Sequence, residues 1–153
     1  MKLINILINK TNVFQSVVLS SSYVGIKTGA DNPGNFYDRV TLNDGDRELF
    51  DRYWKEAADA ITETLKDFIC EISLEGDTLH MQLEMSGSFD SMLIPSIKEG
   101  IFSWIVALVS RDWFRVTMPE KSVEWEAAVS KICNSLLSRL YHRTRPRRHN
   151  LIN

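Results

Sequence analysis

The chain of 153 residues contains only two cysteines, Cys70 and Cys133. Nothing groups them, or the three histidines His80, His142 and His149, at the spacing of metal ligands. The sequence therefore predicts no metal site and no cofactor. Both thiols are predicted to be free and buried in a protein from a reducing compartment, with a disulfide between them as the alternative.

A glycine-rich phosphate loop and the nucleophile elbow of hydrolases are also missing. Glu71, Glu75 and Glu84 alternate along a predicted hairpin, where a solvated face explains them more simply than an acid–base pair. We therefore predict a protein without enzymatic activity. An enzyme stays open as a third hypothesis only through three loop carboxylates: Asp31, Asp38 and Asp44.

The apolar runs are shorter than the roughly 20 residues that a membrane-spanning helix requires. The N-terminal run is interrupted by Asn5 and is followed by no small-residue cleavage site, so residues 2–8 are predicted as a strand rather than as a signal peptide. The sequence thus predicts no membrane contact.

With 44% hydrophobic and 25% charged residues, the composition is that of an ordinary globular domain. We predict a mainly α (α+β) fold, in which about four helices form a small bundle. A β-hairpin at residues 71–86 lies between the second and third helices, and a short strand opens the chain. Residues 1–142 are predicted as a single helical domain, and residues 143–153 as a basic, flexible C-terminal tail.

The segment from Ser91 to Arg115 is the predicted centre of the core. Eight of the nine residues from 101 to 109 are apolar, so a helix here is apolar on nearly every side and belongs inside the fold. Pro95 suits its first turn, and Asp90 or Ser91 can cap it.

An amphipathic helix is predicted to open at Asp46, with apolar residues at three- and four-residue steps as far as Ile69 and charged residues opposite. Its aromatic trio, Phe50, Tyr53 and Trp54, is predicted to pack in the core rather than to bind a ligand.

A last helix is predicted after the Met118-Pro119 turn, beginning at Glu120. The short link makes it the antiparallel neighbour of the preceding helix. Its predicted apolar stripe comprises Val123, Trp125 or Glu126, Ala127, Val129, Ile132, Cys133, Leu136, Leu137, Leu140 and Tyr141.

A helix capped by Thr11 or Asn12 is predicted near the N-terminus, although its serines and valines also favour a strand. A loop of nearly twenty residues, 27–46, follows it. Loops of that length are usually functional or disordered. The residues predicted to anchor the loop are Phe36, Tyr37, Val40 and Leu42.

After Cys70 the apolar period changes from 3.6 to 2, which predicts the hairpin with one wet face. Two strands alone are marginal, so the hairpin is expected to lie on the helices or to pair with residues 2–8 or a neighbouring subunit. Its alternating apolar residues are Ile72, Leu74, Leu79, Met81, Leu83 and Met85.

The net charge of −2 hides an asymmetry along the chain. Residues 139–153 contain five arginines and no acid, so they carry +5, and residues 1–138 carry −7. The basic end is either a solvated tail, a contact for nucleic-acid phosphates or a contact for an acidic protein surface. The predicted partner-binding residues are Arg139, Arg143, Arg145, Arg147 and Arg148.

The residues from Leu93 to Phe102, followed by Trp104 and the Arg111-Asp112-Trp113-Phe114 sequence, resemble the last core segment of the head-tail connector (neck adaptor) proteins of tailed bacteriophages and prophages. The segment from Asp46 to Phe50 is similar to the family's first long helix. The similarity covers residues 46–70 and 91–145, while the family's opening helix has no match in residues 1–25.

This resemblance implies a structural protein of the virion, made in the host cytoplasm and placed at the head–tail junction. Its expected partners are further copies of itself in a homo-oligomeric ring of twelve, the portal protein and a tail-completion protein. DNA is expected to pass through the ring without sequence-specific binding, and Arg143, Arg145, Arg147 and Arg148 match the positions of portal contact. The alternative is a small regulatory or nucleic-acid-associated module that uses the arginine-rich tail.

Overall fold

The structure, a computed structural model, describes residues 1–29 and 40–146. Within these ranges a small antiparallel sheet lies beside four helices, which confirms the predicted mainly α fold with a hairpin and an N-terminal strand. Short 3₁₀ turns, Asp44–Asp46 and Ser91–Leu93, precede the second and third helices. The elements in chain order are β1 (Lys2–Asn9), α1 (Lys10–Gly29), α2 (Arg47–Leu65), β2 (Ile69–Glu75), β3 (Thr78–Met85), α3 (Ile94–Thr117) and α4 (Pro119–Tyr141).

The sheet has the strand order β1-β3-β2, with both pairings antiparallel. The N-terminal strand thus supplies the third strand that the hairpin needs. Gly76 takes a positive φ of 57° in the turn between β2 and β3, a conformation that favours glycine. The buried face of β1 and β3 consists of Ile4, Ile6, Ile8, Leu79, Met81, Leu83 and Met85.

Helix α3 occupies the centre of the core, as predicted, and Trp104 at its middle is only 3% exposed. The predicted cap is wrong: Asp90 caps the 3₁₀ turn before α3, since it accepts a hydrogen bond from the Met92 amide at 3.0 Å, and α3 itself has no side-chain cap. Pro95 lies in the first turn of α3, as predicted. The segment Ser91–Thr117 is also long and apolar enough, by length and mean hydropathy, to span a membrane. This differs from the sequence analysis, which judged the apolar runs too short. The core helix of a globular protein can have the same length and hydropathy.

Helices α3 and α4 run antiparallel along each other, as predicted. The Phe114 and Trp125 rings stack near one end, with centroids 6.3 Å apart, and Gly100 meets Leu136 near the other. The predicted stripe is wrong for Val123, Ala127 and Tyr141, which are exposed. Val123 and Ala127 each lie about 200° around the helix from Trp125, so the inward position of Trp125 turns both outward. Tyr141 is the last residue of α4 and keeps an edge contact with the Phe68 ring.

Helix α2 buries Phe50, Tyr53 and Trp54, which confirms that the trio packs in the core. It ends at Leu65, four residues before the predicted end of its apolar stripe. Phe68 is buried in the turn that follows.

The prediction of two buried thiols is wrong for one of them. Cys70 is exposed, because the chain has already entered the edge strand β2 at Ile69. Cys133 is half-buried on α4, and both thiols are free.

Helix α1 buries Val13 and Val17, so helix rather than strand is the observed conformation. Its first turn is capped by Asn9 rather than by Thr11 or Asn12, since the Thr11 amide donates to Asn9 Oδ1 at 2.8 Å.

Two of the four predicted loop anchors are described, and both Val40 and Leu42 are buried. The Trp113 indole donates to the Val40 carbonyl at 2.7 Å, and the Leu42 amide donates to Ser21 Oγ at 3.0 Å. Helix α1 extends to Gly29, so the loop begins later than predicted. The anchors Phe36 and Tyr37 lie outside the described residues.

Candidate interaction surfaces

Two of the five predicted partner-binding arginines are engaged within the fold. Arg139 reaches from α4 across Gly100 and donates to the Ser96 carbonyl of α3 at 3.3 Å. Arg143 donates to the carbonyls of Leu140 and His142 at 2.8 and 2.9 Å, where the last turn of α4 leaves acceptors unpaired. Both side chains therefore stabilise α4 as well as carrying charge.

The chain beyond α4 is held against the loop that follows β3. Arg143 forms an antiparallel bridge with Phe89, and the Thr144 amide donates to the Ser88 carbonyl at 2.9 Å. The Lys2 ammonium, at the start of β1, donates to the Phe89 carbonyl at 2.7 Å. The first two residues of the predicted tail are thus part of the folded structure.

Arg145 is the first arginine of the tail that is exposed. Among residues 1–29 and 40–146, neither Arg143 nor Arg145 forms an ion pair with a carboxylate. Their charge is available to an external acidic group. Arg147 and Arg148 lie outside the described residues.

Strand β2 is the most exposed of the three strands, because none of its seven residues is buried. Ile72 and Leu74 pair with Met81 and Leu79, so they share the sheet face that packs on the helices. They nevertheless remain 38% and 43% exposed, whereas their partners are nearly inaccessible. The sheet therefore extends beyond the helices that cover it.

The surroundings of β2 are acidic. Residues 67–79 contain four carboxylates and no lysine, arginine or histidine. Asp77 pairs with Lys10 at 3.1 Å, and Asp51 of α2 pairs with the same ammonium at 3.0 Å. Burial lowers the pKa of Lys10, but the hydrogen bonds to the two carboxylates outweigh that effect and raise it. The remaining carboxylates, Asp67, Glu71 and Glu75, are exposed.

The outer face of the sheet carries a shallow depression of about 670 Å³. At its centre Gln82 donates to Asn5 Oδ1 at 2.8 Å and contacts the Cys70 thiol at 3.3 Å. Leu3 and Leu7 of β1 project from the same face and are more than half exposed. This face combines polar pairs in the middle with apolar side chains along β1.

Helix α1 has a second apolar stripe on the side away from the core. Leu19, Tyr23 and Ile26 follow one another at i, i+4 and i+7, and each is more than 60% exposed. Leu19 also lines a groove of about 470 Å³ toward Glu99 and Phe102 of α3. Helix α1 therefore has apolar side chains both on the face that packs in the core and on the face exposed to solvent.

A charged cluster ties the end of α3 to the start of α4. Asp112 is buried and pairs with Arg111 at 3.2 Å and with Arg115 at 3.5 Å, and both arginines also reach Glu126. Burial, and then the Asp112 charge, raise the pKa of the Tyr53 phenol on α2. The cluster pairs its charges internally, which fits a structural junction.

Among the described residues, no three metal-ligating side chains come together. Glu71, Glu75 and Glu84 are exposed along the strands rather than converging. Asp44 pairs with Arg47 at 3.1 Å beside the first turn of α2. The other loop carboxylates, Asp31 and Asp38, and His149 lie outside the described residues, while His80 and His142 are exposed at separate places.

No protein-family model, curated protein or solved structure matches this chain.

Sequence reasoning found the arginine-rich end but missed two apolar surfaces, the uncovered part of β2 and the outer stripe of α1. The stripe has a signal, because Leu19, Tyr23 and Ile26 recur at helical spacing on a different face from Val13 and Val17. The exposure of β2 has no such signal, because its alternation is the same as that of the covered strand β3.

Proposed function

We propose that this chain is a structural, non-enzymatic subunit of a phage head–tail connector, in a ring that joins the portal to the tail and lines the DNA channel. The observation that carries the proposal is an arginine-bearing segment that leaves the fold beside a sheet with an uncovered edge strand. A free edge and exposed apolar side chains are features of subunits completed by neighbours.

The residues that carry the family resemblance support the proposal by their positions. The proline-started segment is the central helix α3, and the segment from Asp46 to Phe50 opens the amphipathic helix α2 against it. The acidic body also suits a channel wall, because it offers DNA phosphates little to bind.

The test is co-expression of the full chain with the portal protein of the same genome, followed by electron microscopy of the purified complexes. We expect rings of this chain on portal assemblies, even if the isolated chain is monomeric, because such a ring can form on its template. A chain that stays strictly monomeric and does not bind the portal would contradict the proposal.

A second function, a nucleic-acid-associated module, is favoured by the absence of carboxylate partners for Arg143 and Arg145 among the described residues. Truncation after Thr144 tests it best, since it removes the remaining arginines and keeps the contacts of Arg143 and Thr144 with the loop. A steep, salt-dependent affinity for duplex DNA that the truncation abolishes would support this function over the connector. Weak DNA binding that is unchanged by the truncation would contradict it.

A further inference from the structure

Among residues 1–29 and 40–146, strand β2 has a strand partner on one side only, because β3 lies between it and β1. Natural edge strands are usually protected by lysine, proline, a bulge or a covering element. Strand β2 has an irregularity near Cys70, but its remaining residues, 71–75, pair regularly and include neither lysine nor proline. These five residues offer an added strand a regular edge.

The charges on β2 indicate what kind of strand can pair there. If two copies of β2 paired antiparallel about Ser73, Glu71 of each copy would face Glu75 of the other. Like charges directly opposite each other destabilise a strand pair. The favoured partner is therefore a basic strand rather than a second β2.

The same chain contains such a segment. Residues 127–153 include six basic residues and no acid. At His142 the backbone becomes extended, with φ −65° and ψ 136°, and Arg143 is already in a β-bridge. Pro146 keeps φ in the range of extended chains and lacks only one donor, which is compatible with an edge position.

In its own chain this segment leaves the fold at one end of the sheet. Arg143 is bridged to Phe89 after β3, and the Tyr141 ring packs on Phe68, just before β2, with centroids 5.1 Å apart. The self-assembly in the proposed function favours the tail of a second copy, and the concentration dependence measured below distinguishes it from the chain's own tail.

We propose that β2 of one copy binds the C-terminal segment of a second copy, from Arg145 onward, as an added fourth strand. Glu71 and Glu75 face the incoming arginines, and exposed Ile72 and Leu74 give apolar contact on the other face. The contact is head-to-tail, so it repeats from copy to copy and closes into a ring when the rotation allows. The inference rests on the self-assembly in the proposed function and names its two surfaces.

Charge reversal in the full chain tests this pairing. The edge variant carries Glu71→Lys and Glu75→Lys, and the tail variant carries Arg145→Glu, Arg147→Glu and Arg148→Glu. Sedimentation velocity over a range of concentrations should show that each variant alone associates at least roughly tenfold more weakly than the unaltered chain. An equimolar mixture should recover association, since each tail then meets an edge of opposite charge.

Hydrogen exchange supplies the backbone readout. In the unaltered chain and in the mixture, amides of β2 should gain protection as concentration rises, whereas the separate variants should show no gain. A control variant with Asp59→Lys and Glu120→Lys has the same charge change as the edge variant at exposed positions on α2 and α4, and it should associate normally. Circular dichroism checks that every variant folds.

Several outcomes would overturn the inference. These are association that neither variant weakens, a mixture that does not recover, and recovery without protection of β2. Protection of β2 that is independent of concentration would assign the tail to its own chain instead. An unaltered chain that is monomeric throughout would also overturn it, while rings seen on the portal would still support the proposed function.

Discussion

Helix α3 and strand β2 are both rich in apolar residues, but the fold treats them in opposite ways. Twelve of the 24 residues of α3 are buried, including Ile101 at 0% exposure, whereas none of the seven residues of β2 is. The difference comes from position in the described part of the chain, because α3 packs against helices on several sides while β2 is an edge strand paired with β3 alone. One region is a closed core, and the other stays partly open to solvent.

The largest expected difference between the two regions is the loss of stability when an isoleucine in each is replaced by alanine. Ile101→Ala should lower the free energy of unfolding by about 2–5 kcal/mol, because it leaves a cavity in the core. Ile72→Ala should cost less than about 1 kcal/mol, because Ile72 is already 38% exposed. Urea unfolding of the two variants measures both values, and equal losses would contradict the contrast.

A smaller difference in stability is expected between an arginine that is bonded within the fold and one that is exposed. Arg139→Ala should cost about 1–2 kcal/mol, since it removes the hydrogen bond to the Ser96 carbonyl and the contact over Gly100. Arg145→Ala should change stability by less than about 0.5 kcal/mol. Thermal melts of both variants provide the measurement. A destabilised Arg145 variant would mean that the exposed arginine also supports the fold.

Lys10 links the hairpin that contains β2 to the helices, because its ammonium pairs with Asp51 of α2 and with Asp77 in the hairpin turn. Lys10→Met should cost about 0.5–1 kcal/mol, a modest value since both carboxylates are partly exposed. Amide exchange should accelerate at the hairpin turn and remain unchanged in α3. Unchanged exchange throughout would show that the pairs contribute nothing to holding the hairpin.

The smallest effect is a loss of stability at alkaline pH. Burial raises the pKa of the Cys133 thiol above its usual 9.0, and it raises that of the Tyr53 phenol above 10.0, with help from the Asp112 charge. The unfolded chain therefore releases these protons first, so their contribution is complete below pH 9 and declines as the pH rises through each folded pKa.

Cys133→Ala should remove the earlier part of this decline, which begins near pH 9, and Tyr53→Phe should remove the part near pH 10. Melting temperatures between pH 7 and pH 11 measure both. The pKa of Lys10 is also raised, so its ion pairs should persist beyond pH 10.5 and should not account for the earlier loss. A decline that is identical in all three chains would assign it to other groups.

The sequence alone predicted the elements whose periodicity is strong. The apolar run of α3, the inward trio of α2 and the alternation of the hairpin each correspond to one local structure, whatever packs against it. The Met118-Pro119 turn could likewise be predicted, because it depends on neighbours within a few residues.

The errors occur where the outcome depends on distant parts of the chain. The helical stripe predicted as far as Ile69 ends at Leu65, because the Glu84 amide of β3 donates to the Phe68 carbonyl and a strand starts there. Arg139 was predicted as part of the basic C-terminal charge, but the Ser96 carbonyl of α3, 43 residues earlier, accepts its hydrogen bond. Neither of these long-range hydrogen bonds can be predicted from the local sequence pattern.

Residue type and short-range periodicity are enough to specify the helices, the strands, the apolar centre and the division of charge between body and C-terminus. Tertiary packing, in contrast, leaves β2 as a partly uncovered edge strand and holds the start of the arginine segment beside the loop after β3. Alternation assigns Ile72 and Met81 to the same face. Whether that face is covered depends on strand order and on where the helices cross it.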